Sequence, residues 1–525
     1  MKKLLFIVLI NLLLSFTSVL NAQQDTFSRV LFDSAQYGIQ AYSVVPTFDN
    51  CYLIAGDESH QNGLIIKVDS TGNVLWNKTF SNSNTIYNSD IFFSNIISTK
   101  DSCFVIVGFT YDSISSHRDA LCLKIDSNGD TLWLKTIGYN DNDFRTYSVQ
   151  QTNDSGYIMT GYASNYNTTP NYKIFVAKLD MLGNLQWSNI ILGGNYNSTA
   201  YSIKQTPDSA YILTGYMTNL FSYEHNVILI KLSQTGAILW SKRYYNPAHG
   251  YCKGYDLEIT GNGFLILFLL DYHIVLLETD FSGNILWQKS YNQFIGSMYY
   301  EYSTKFMKTS DSCFVLVSIG FDGGLTKIDS VGNLIWSKSL NLMATDVVNS
   351  NSHGFFIIGN GPVSGVKGNQ ISSPQIGIIQ TDSIGNAYKC VYSMNLNPII
   401  DTILSTSATF SSVSGGIENT IHPIISSEVL LSYNGCISYF GSINEISNEK
   451  NISVFPNPSN GVFTFNIEME KEVQVIIYNS IGENIYQSKF YNQEFEIDLS
   501  SKPEGVYLVK FICEDFVGVK KIVKQ

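Results

Sequence analysis

Short apolar runs alternate with clusters of Asn, Asp, Ser and Gly along most of the chain. The stretch from Tyr147 shows the arrangement best. YSVQQT runs into the turn Asn153-Asp154-Ser155-Gly156, and YIMTGY from Tyr157 into a longer polar loop. IFVAKLD from Ile174 then passes through Asp180-Met181-Leu182-Gly183 into NLQWSNII. Runs this short, rich in β-branched and aromatic residues and bounded by turn formers, predict strands rather than helices. Segments such as LIIKV, IFVAKL and VILIKL are apolar at successive positions, which predicts sheets covered on both faces.

The pattern is periodic. All six tryptophans close one recurring phrase: KVDSTGNVLW at Trp76, KIDSNGDTLW at Trp133, KLDMLGNLQW at Trp187, KLSQTGAILW at Trp240, ETDFSGNILW at Trp287 and KIDSVGNLIW at Trp336. Their separations are 57, 54, 53, 47 and 49 residues. A seventh copy, QTDSIGNAYK, has Lys389 in the tryptophan slot. A period near fifty residues indicates a solenoid, propeller or array. With four strands per period the prediction is all-β: a seven-bladed β-propeller of four-stranded blades over residues 23–394. Seven sheets closing a ring cover one another and need no caps. The Asp ahead of the turn, replaced once by Ser233, can bond backbone N–H groups two residues on. The glycines from Gly72 to Gly385 suit the left-handed position of a three-residue hairpin loop. The tryptophan is expected to wedge between blades, stabilising by about 2–3 kcal/mol. FSRVLF (27–32) reads as a fourth strand lacking its first three, and AYKCVYS (387–393) occupies a fourth-strand slot as well. Either can complete the last blade, or both can pair side by side; the N-terminal one is favoured. The Asp…Gly…Trp phrase resembles the tryptophan-docking repeat of quinoprotein-like propellers, with a spacing one residue shorter. That resemblance implies the blade fold and not the chemistry.

From residue 447 the character changes. Alternating strands separated by Asn-Pro, Ile-Gly and Pro-Glu-Gly turns predict a small β-sandwich over 447–525. Pro456, Asn457, Pro458 and Gly461 form an opening PNPxxG; Tyr478, Gly482, Asp498, Leu499, Pro503, Gly505 and Tyr507 follow, and Lys521-Ile522-Val523 ends the series. In this order they resemble the type A C-terminal sorting domain of the Bacteroidota type IX secretion system. The resemblance implies export to the periplasm and then passage to the cell surface or medium, with that secretion machinery as partner. Residues 395–446, rich in Ser, Thr, Ile and Asn, read as a linker, partly β.

The first 22 residues fit this destination: Lys2 and Lys3 precede an apolar run from Leu4 to Leu14, and a more polar stretch ends at Ala22. That is a signal-peptide layout, too short for a membrane span. No later segment is long and apolar enough to cross a bilayer. The eight cysteines contain no CxxC pair. Cys51, Cys103 and Cys313 share a strand-initial slot and read as packing residues, while Cys390 with Cys436 is a candidate disulfide.

Charged residues make up only 14% of the 525 positions, and the net charge is −12. Phosphate neutralisation needs clustered Lys and Arg, so nucleic acid is excluded as a partner. Catalytic motifs such as HExxH, GxSxG and the Walker loop do not occur, and the histidines lack ligand spacing. No cofactor and no metal site are expected. In a four-stranded blade the short turns share one face and the long variable connections share the other. Those connections are rich in Tyr, Asn, Ser and Gly, like antibody binding loops. Candidate ligand contacts on that face are Tyr139, Asp141, Asp143, Tyr166, Tyr196, Tyr223, His225 and His249. Asp141 with Asp143 also suits a calcium site or carboxylate pair, although turn formation explains both. The reading is an exported recognition module for an extracellular glycan or protein. The alternatives are an extracellular propeller enzyme acting on polysaccharide and a purely structural surface protein.

Overall fold

A computed structural model describes residues 26–434 and 452–525, apart from short stretches of which 83–90, 292–303 and 362–374 are the longest. Two compact units divide at Tyr439 and Phe440. The first contains seven antiparallel sheets arranged as propeller blades. Blade 3 is representative, with strands Asp143–Gln151, Tyr157–Ser164, Tyr172–Leu179 and Leu185–Leu192 from the axis outward. Blade 7 is built from Met343–Asn349, Phe355–Gly361 and Gln375–Gln380, and the N-terminal strand Phe27–Asp33 supplies its fourth strand by pairing with Gln375–Gln380. The ring is therefore closed by strands from both ends of the repeat region. At the inner edge the closure is made by side chains of blade 7: Asp346 accepts from Ser43 Oγ and Val44 N at 2.9 and 3.0 Å, and Asn360 exchanges two bonds with the Ala41 backbone at 2.7 and 3.0 Å.

Each blade docks on the next through the repeated phrase. The Asp of the turn accepts two backbone N–H groups, as Asp180 does from Leu182 and Asn184 at 2.9 and 2.8 Å. This tight loop places Gly183 at φ +84°, and a Cβ there would lie 2.9 Å from the ring of Trp133 in the preceding blade. The same contact joins Trp76 to Gly129, Trp187 to Gly236, Trp240 to Gly283, Trp287 to Gly332 and Trp336 to Gly385. In blade 7 Phe27 replaces the indole and lies on Gly72. The tryptophans are half-buried rather than enclosed, so each contributes less than full burial would. Lysines two residues past the indole reinforce the step, as Lys289 does on Asn333 at 2.6 Å and Lys78 on Asp130 at 2.8 Å.

A second repeated device holds each blade together. In blades 1, 2, 3, 4 and 6 the lysine of the third strand reaches the aspartate of the first hairpin turn: Lys67 to Asp49, Lys124 to Asp101, Lys178 to Asp154, Lys231 to Asp208 and Lys327 to Asp311, all at 2.6–2.9 Å. A threonine hydroxyl at the start of each turn donates to the same carboxylate. Burial opposes ionisation of Asp154, yet Thr152 and Lys178 hold it at about 2; Lys231 and Thr206 do the same for Asp208. Blade 5 inverts the pairing, with Glu278 in the lysine slot accepting from Thr260 at 2.7 Å and from the Trp287 indole.

The region read as a linker, partly β, does hold strands, and they pair with the blades. Through Asn434 it is a strap that adds a fifth strand to every blade. Tyr392–Ser393 pairs with blade 6 and Pro398–Ile399 with blade 5. Leu404–Ser407 pairs with blade 4, Ser411–Ser414 with blade 3, Ile417–Thr420 with blade 2 and Pro423–Ser426 with blade 1. Leu430–Asn434 finally pairs with Phe27–Asp33 in blade 7. The strap runs once round the ring, against the order of the blades. Tyr392 and Ser393, assigned from sequence to a fourth-strand slot of the seventh repeat, belong to this strap.

The second unit has two sheets, Ile452–Phe455 with Val462–Ile467 and Glu494–Asp498, and Val473–Tyr478 with Asn484–Phe490, Gly505–Ile512 and Val517–Lys524. Phe463, Phe465, Val475, Ile477, Val509 and Phe511 are among the buried residues of its core. Cys390, Cys436, Lys389 and the N-terminal 22 residues lie outside the described residues.

Two outcomes test these contacts. Gly194 has φ +65° but open space around a Cβ, whereas Gly183 meets an indole. Gly183→Ala is expected to cost about 1–2 kcal/mol more than Gly194→Ala in denaturant melts, because both carry the left-handed strain and only one loses the docking contact. Asp154 and Asp208 have folded pKa values below the ordinary 3.8, so their stabilisation is complete above pH ~4 and lost as pH falls toward ~2. The double variant Asp154→Asn, Asp208→Asn should melt below the wild type at pH 7, and the gap should narrow as pH falls toward about 2 and close below it.

Candidate functional site

The inner strand of most blades carries a one-residue bulge, which lifts Tyr42, Ser94, Tyr147, Tyr201, Tyr255 and Thr345 out of register in blades 1–5 and 7. Bulges re-aim side chains. The neighbouring strand must approach the bulge closely: a Cβ on Gly161 would sit 1.9 Å from the Arg145 carbonyl oxygen, and one on Gly56 1.8 Å from that of Gln40. The Gly in Thr-Gly-Tyr is thereby explained. In blade 5 the glycine has moved to the inner strand, where Gly254 faces Phe268.

The bulges bring tyrosines from consecutive blades into a stack. Tyr147 lies 5.0 Å from Tyr201, and Tyr201 5.4 Å from Tyr255, with interplanar angles of 26° and 21°. Together with Ser94, Thr304 and Lys305 they line a cavity of about 20 Å³ among the inner strands, room for about one water. From this stack an aromatic band leads toward the long loops. Tyr216 lies 5.9 Å from Tyr201 and 5.5 Å from His225, and His225 lies 4.7 Å from Tyr251. The Lys253 ammonium stands 4.5 Å from the Tyr216 ring centre and 5.0 Å from that of Tyr251, a cation–π arrangement. Burial, with Lys253 beside it, lowers the His225 pKa to about 4. His225 is thus neutral at physiological pH, with Nδ1 2.9 Å from Thr218 Oγ1.

Three residues singled out from sequence meet at the loop end of blade 4. Asn219 connects the two tyrosines. Its side-chain amide donates to the Tyr196 hydroxyl at 3.5 Å, its carbonyl oxygen accepts from Tyr223 N at 3.0 Å, and its side-chain oxygen accepts from Phe221 N at 2.8 Å. The turn ends at His225. Tyr223, at φ +58°, and Phe221 point outward from it, 76% and 81% exposed. Asp143 lies elsewhere, buried between blades 2 and 3, where it accepts from Arg118 N and Nη1 at 2.9 and 3.2 Å and faces His117 Nδ1 at 3.6 Å. Tyr139, Asp141, Tyr166 and His249 lie outside the described residues. Phe221, Tyr216, Tyr251 and Lys253 were not singled out from sequence. Tyr216 belongs to the repeated Thr-Gly-Tyr, which was a signal for it; Phe221 follows no repeat. Among the described residues no His, Cys, Asp and Glu group has metal-site geometry.

In the C-terminal unit the opening and closing motifs meet. Asn457 Oδ1 accepts from Val523 N at 2.8 Å, Ser459 N donates to Val523 O at 3.0 Å, and Gln525 N donates to Ser459 O at 2.9 Å. The segment from Asn457 to Ser459 thus holds the end of the last strand. Gly461 lets the loop pass Ser500, whose Cα would be 2.6 Å from a Cβ. Gly505 opens the strand that pairs with the last one, placing Leu508 opposite Lys521, and the Tyr507 hydroxyl donates to Pro503 O at 2.5 Å. Gly482 lies outside the described residues. Residues 453–525 match the family model of the secretion system C-terminal sorting domain. The chain carries a sorting domain.

The sorting domain assigns the protein to the outer cell surface or the extracellular space, and the secretion machinery is implied as its partner. A search of curated proteins finds no match. Among solved structures, a protein of unknown function from Bacteroides caccae aligns with a TM-score of 0.32 and 11% identity, covering 59% of this chain and 93% of that one. A fungal alcohol oxidase in complex with copper aligns with a TM-score of 0.24 and 8% identity, covering 82% and 99%. Among the described residues no helix is long and apolar enough to cross a membrane. Cells expressing the chain without residues 453–525 should hold it in the periplasm; equal amounts in the medium by immunoblot would contradict the role of the sorting domain.

Proposed function

We propose that the propeller is a recognition module delivered outside the cell, and that the loop end of blade 4 engages an extracellular glycan. The observation that carries this reading is the pair Phe221 and Tyr223. Two large aromatic rings stand in solvent on a turn whose backbone is pinned by Asn219. Ordering such rings on binding costs little entropy, because their backbone is already set. Flat aromatic faces suit the apolar faces of sugar rings. Tyr196, bonded to the Asn219 amide of the same turn, and neutral His225, at the end of that turn, add hydroxyl and imidazole groups for sugar hydroxyls, the mixture of apolar surface and few polar groups expected of a binding site.

The experiment is a glycan array probed with the full-length protein, followed by calorimetry on the hits. Phe221→Ala with Tyr223→Ala should weaken binding about tenfold or more, while leaving the melting temperature unchanged, since neither ring is packed. Unchanged affinity in the double variant would remove blade 4 as the site. Silence on the array with binding to a purified surface protein would replace the glycan by a protein epitope.

A further inference from the structure

The strap has a mechanical consequence. A propeller closed by its N-terminal strand ordinarily leaves that strand as the outer edge of the last blade, free to peel away. Here Phe27–Asp33 is not an edge. Gln375–Gln380 pairs with it on one side, from Phe27↔Gln380 to Leu31↔Ile376, and Leu430–Asn434 on the other, from Arg29↔Asn434 to Asp33↔Leu430. The segment sealing it is the last strand of the strap, after one passage round the ring. The other strap strands pair only with outer strands that are already continuous in sequence with their own blades.

We propose that Leu430–Asn434 is a latch: the strand that closes the ring cannot leave until the end of the strap has left it. Opening of the propeller is then ordered. The latch detaches, Phe27–Asp33 follows with Phe27 lifting from Gly72, and only then do blades 7 and 1 separate. The geometry makes the latch unequal to the rest of the strap. Loss of Ser411–Ser414 from blade 3 exposes one edge, whereas loss of Leu430–Asn434 exposes the strand on which closure depends.

Native-state hydrogen exchange followed by mass spectrometry on the full-length protein tests the order. In the wild type, peptides covering 27–33 must exchange no faster than those covering 430–434; faster exchange of 27–33 overturns the proposal without any variant. Proline removes a ladder N–H, and adjacent prolines ensure that one faces the partner strand. Leu431→Pro with Ser432→Pro should raise exchange in 27–33 about tenfold, and the rate of unfolding in guanidinium similarly, as loss of pairing on one side of a short strand implies. Ser412→Pro with Val413→Pro on the blade 3 strap strand should leave 27–33 at the wild-type rate. Equal effects of the two variants on 27–33, or none from the first, would reduce the strap to a uniform edge cover.

Discussion

The propeller depends on one contact made seven times: an aromatic ring from the outer strand of one blade lying on a left-handed glycine in the next. A β-sheet of four strands has two faces to cover and no means of covering them alone, so the association of blades is the folding event that matters. The glycine admits the ring because it has no side chain, and the aspartate ahead of it fixes the loop by accepting backbone N–H groups. Each blade thus offers a ring at its outer strand and a platform at its last turn. The step is heterologous, and it closes because the seventh ring, that of Phe27, reaches the first platform at Gly72.

Charge is spent sparingly and in repeated places. The Lys–Asp pair inside a blade joins a nearly buried ammonium to an exposed carboxylate, so the lysine lies along the sheet while the aspartate stays wet. Where blade 5 replaces lysine by Glu278, the partners change to a threonine hydroxyl and an indole N–H, both donors. The slot requires a satisfied polar group, and the sign of its charge follows from its neighbours. This regularity on the turn face contrasts with the loop face, where the connection carrying Phe221 and Tyr223 follows no repeated phrase.

The four-stranded period, the number of blades, the docking phrase and the sorting module were legible because each is written in contiguous residues: six tryptophans at nearly even spacing, and PNPxxG followed by ordered glycines and tyrosines. The lysine–aspartate pairs were less visible, although both residues recur, because they lie 16–24 residues apart and become neighbours only when the first hairpin turn folds beside the third strand. The aromatic band was partly visible in Thr-Gly-Tyr. That its tyrosines stack across blades followed from the bulges, which leave no mark in composition.

The amino-acid pattern alone determined that this chain makes strands, how many units it makes, and that its last module is a sorting domain, because local turn chemistry and short-range alternation are properties of neighbouring residues. Tertiary structure decided how the ring is sealed. A strap strand of two to five residues has too little pattern to be told from a loop, and its hydrogen bonds are those of the backbone, which every sequence possesses. Its identity as a fifth strand comes from the free edge that each blade presents to it, and that edge exists only after the blades have formed.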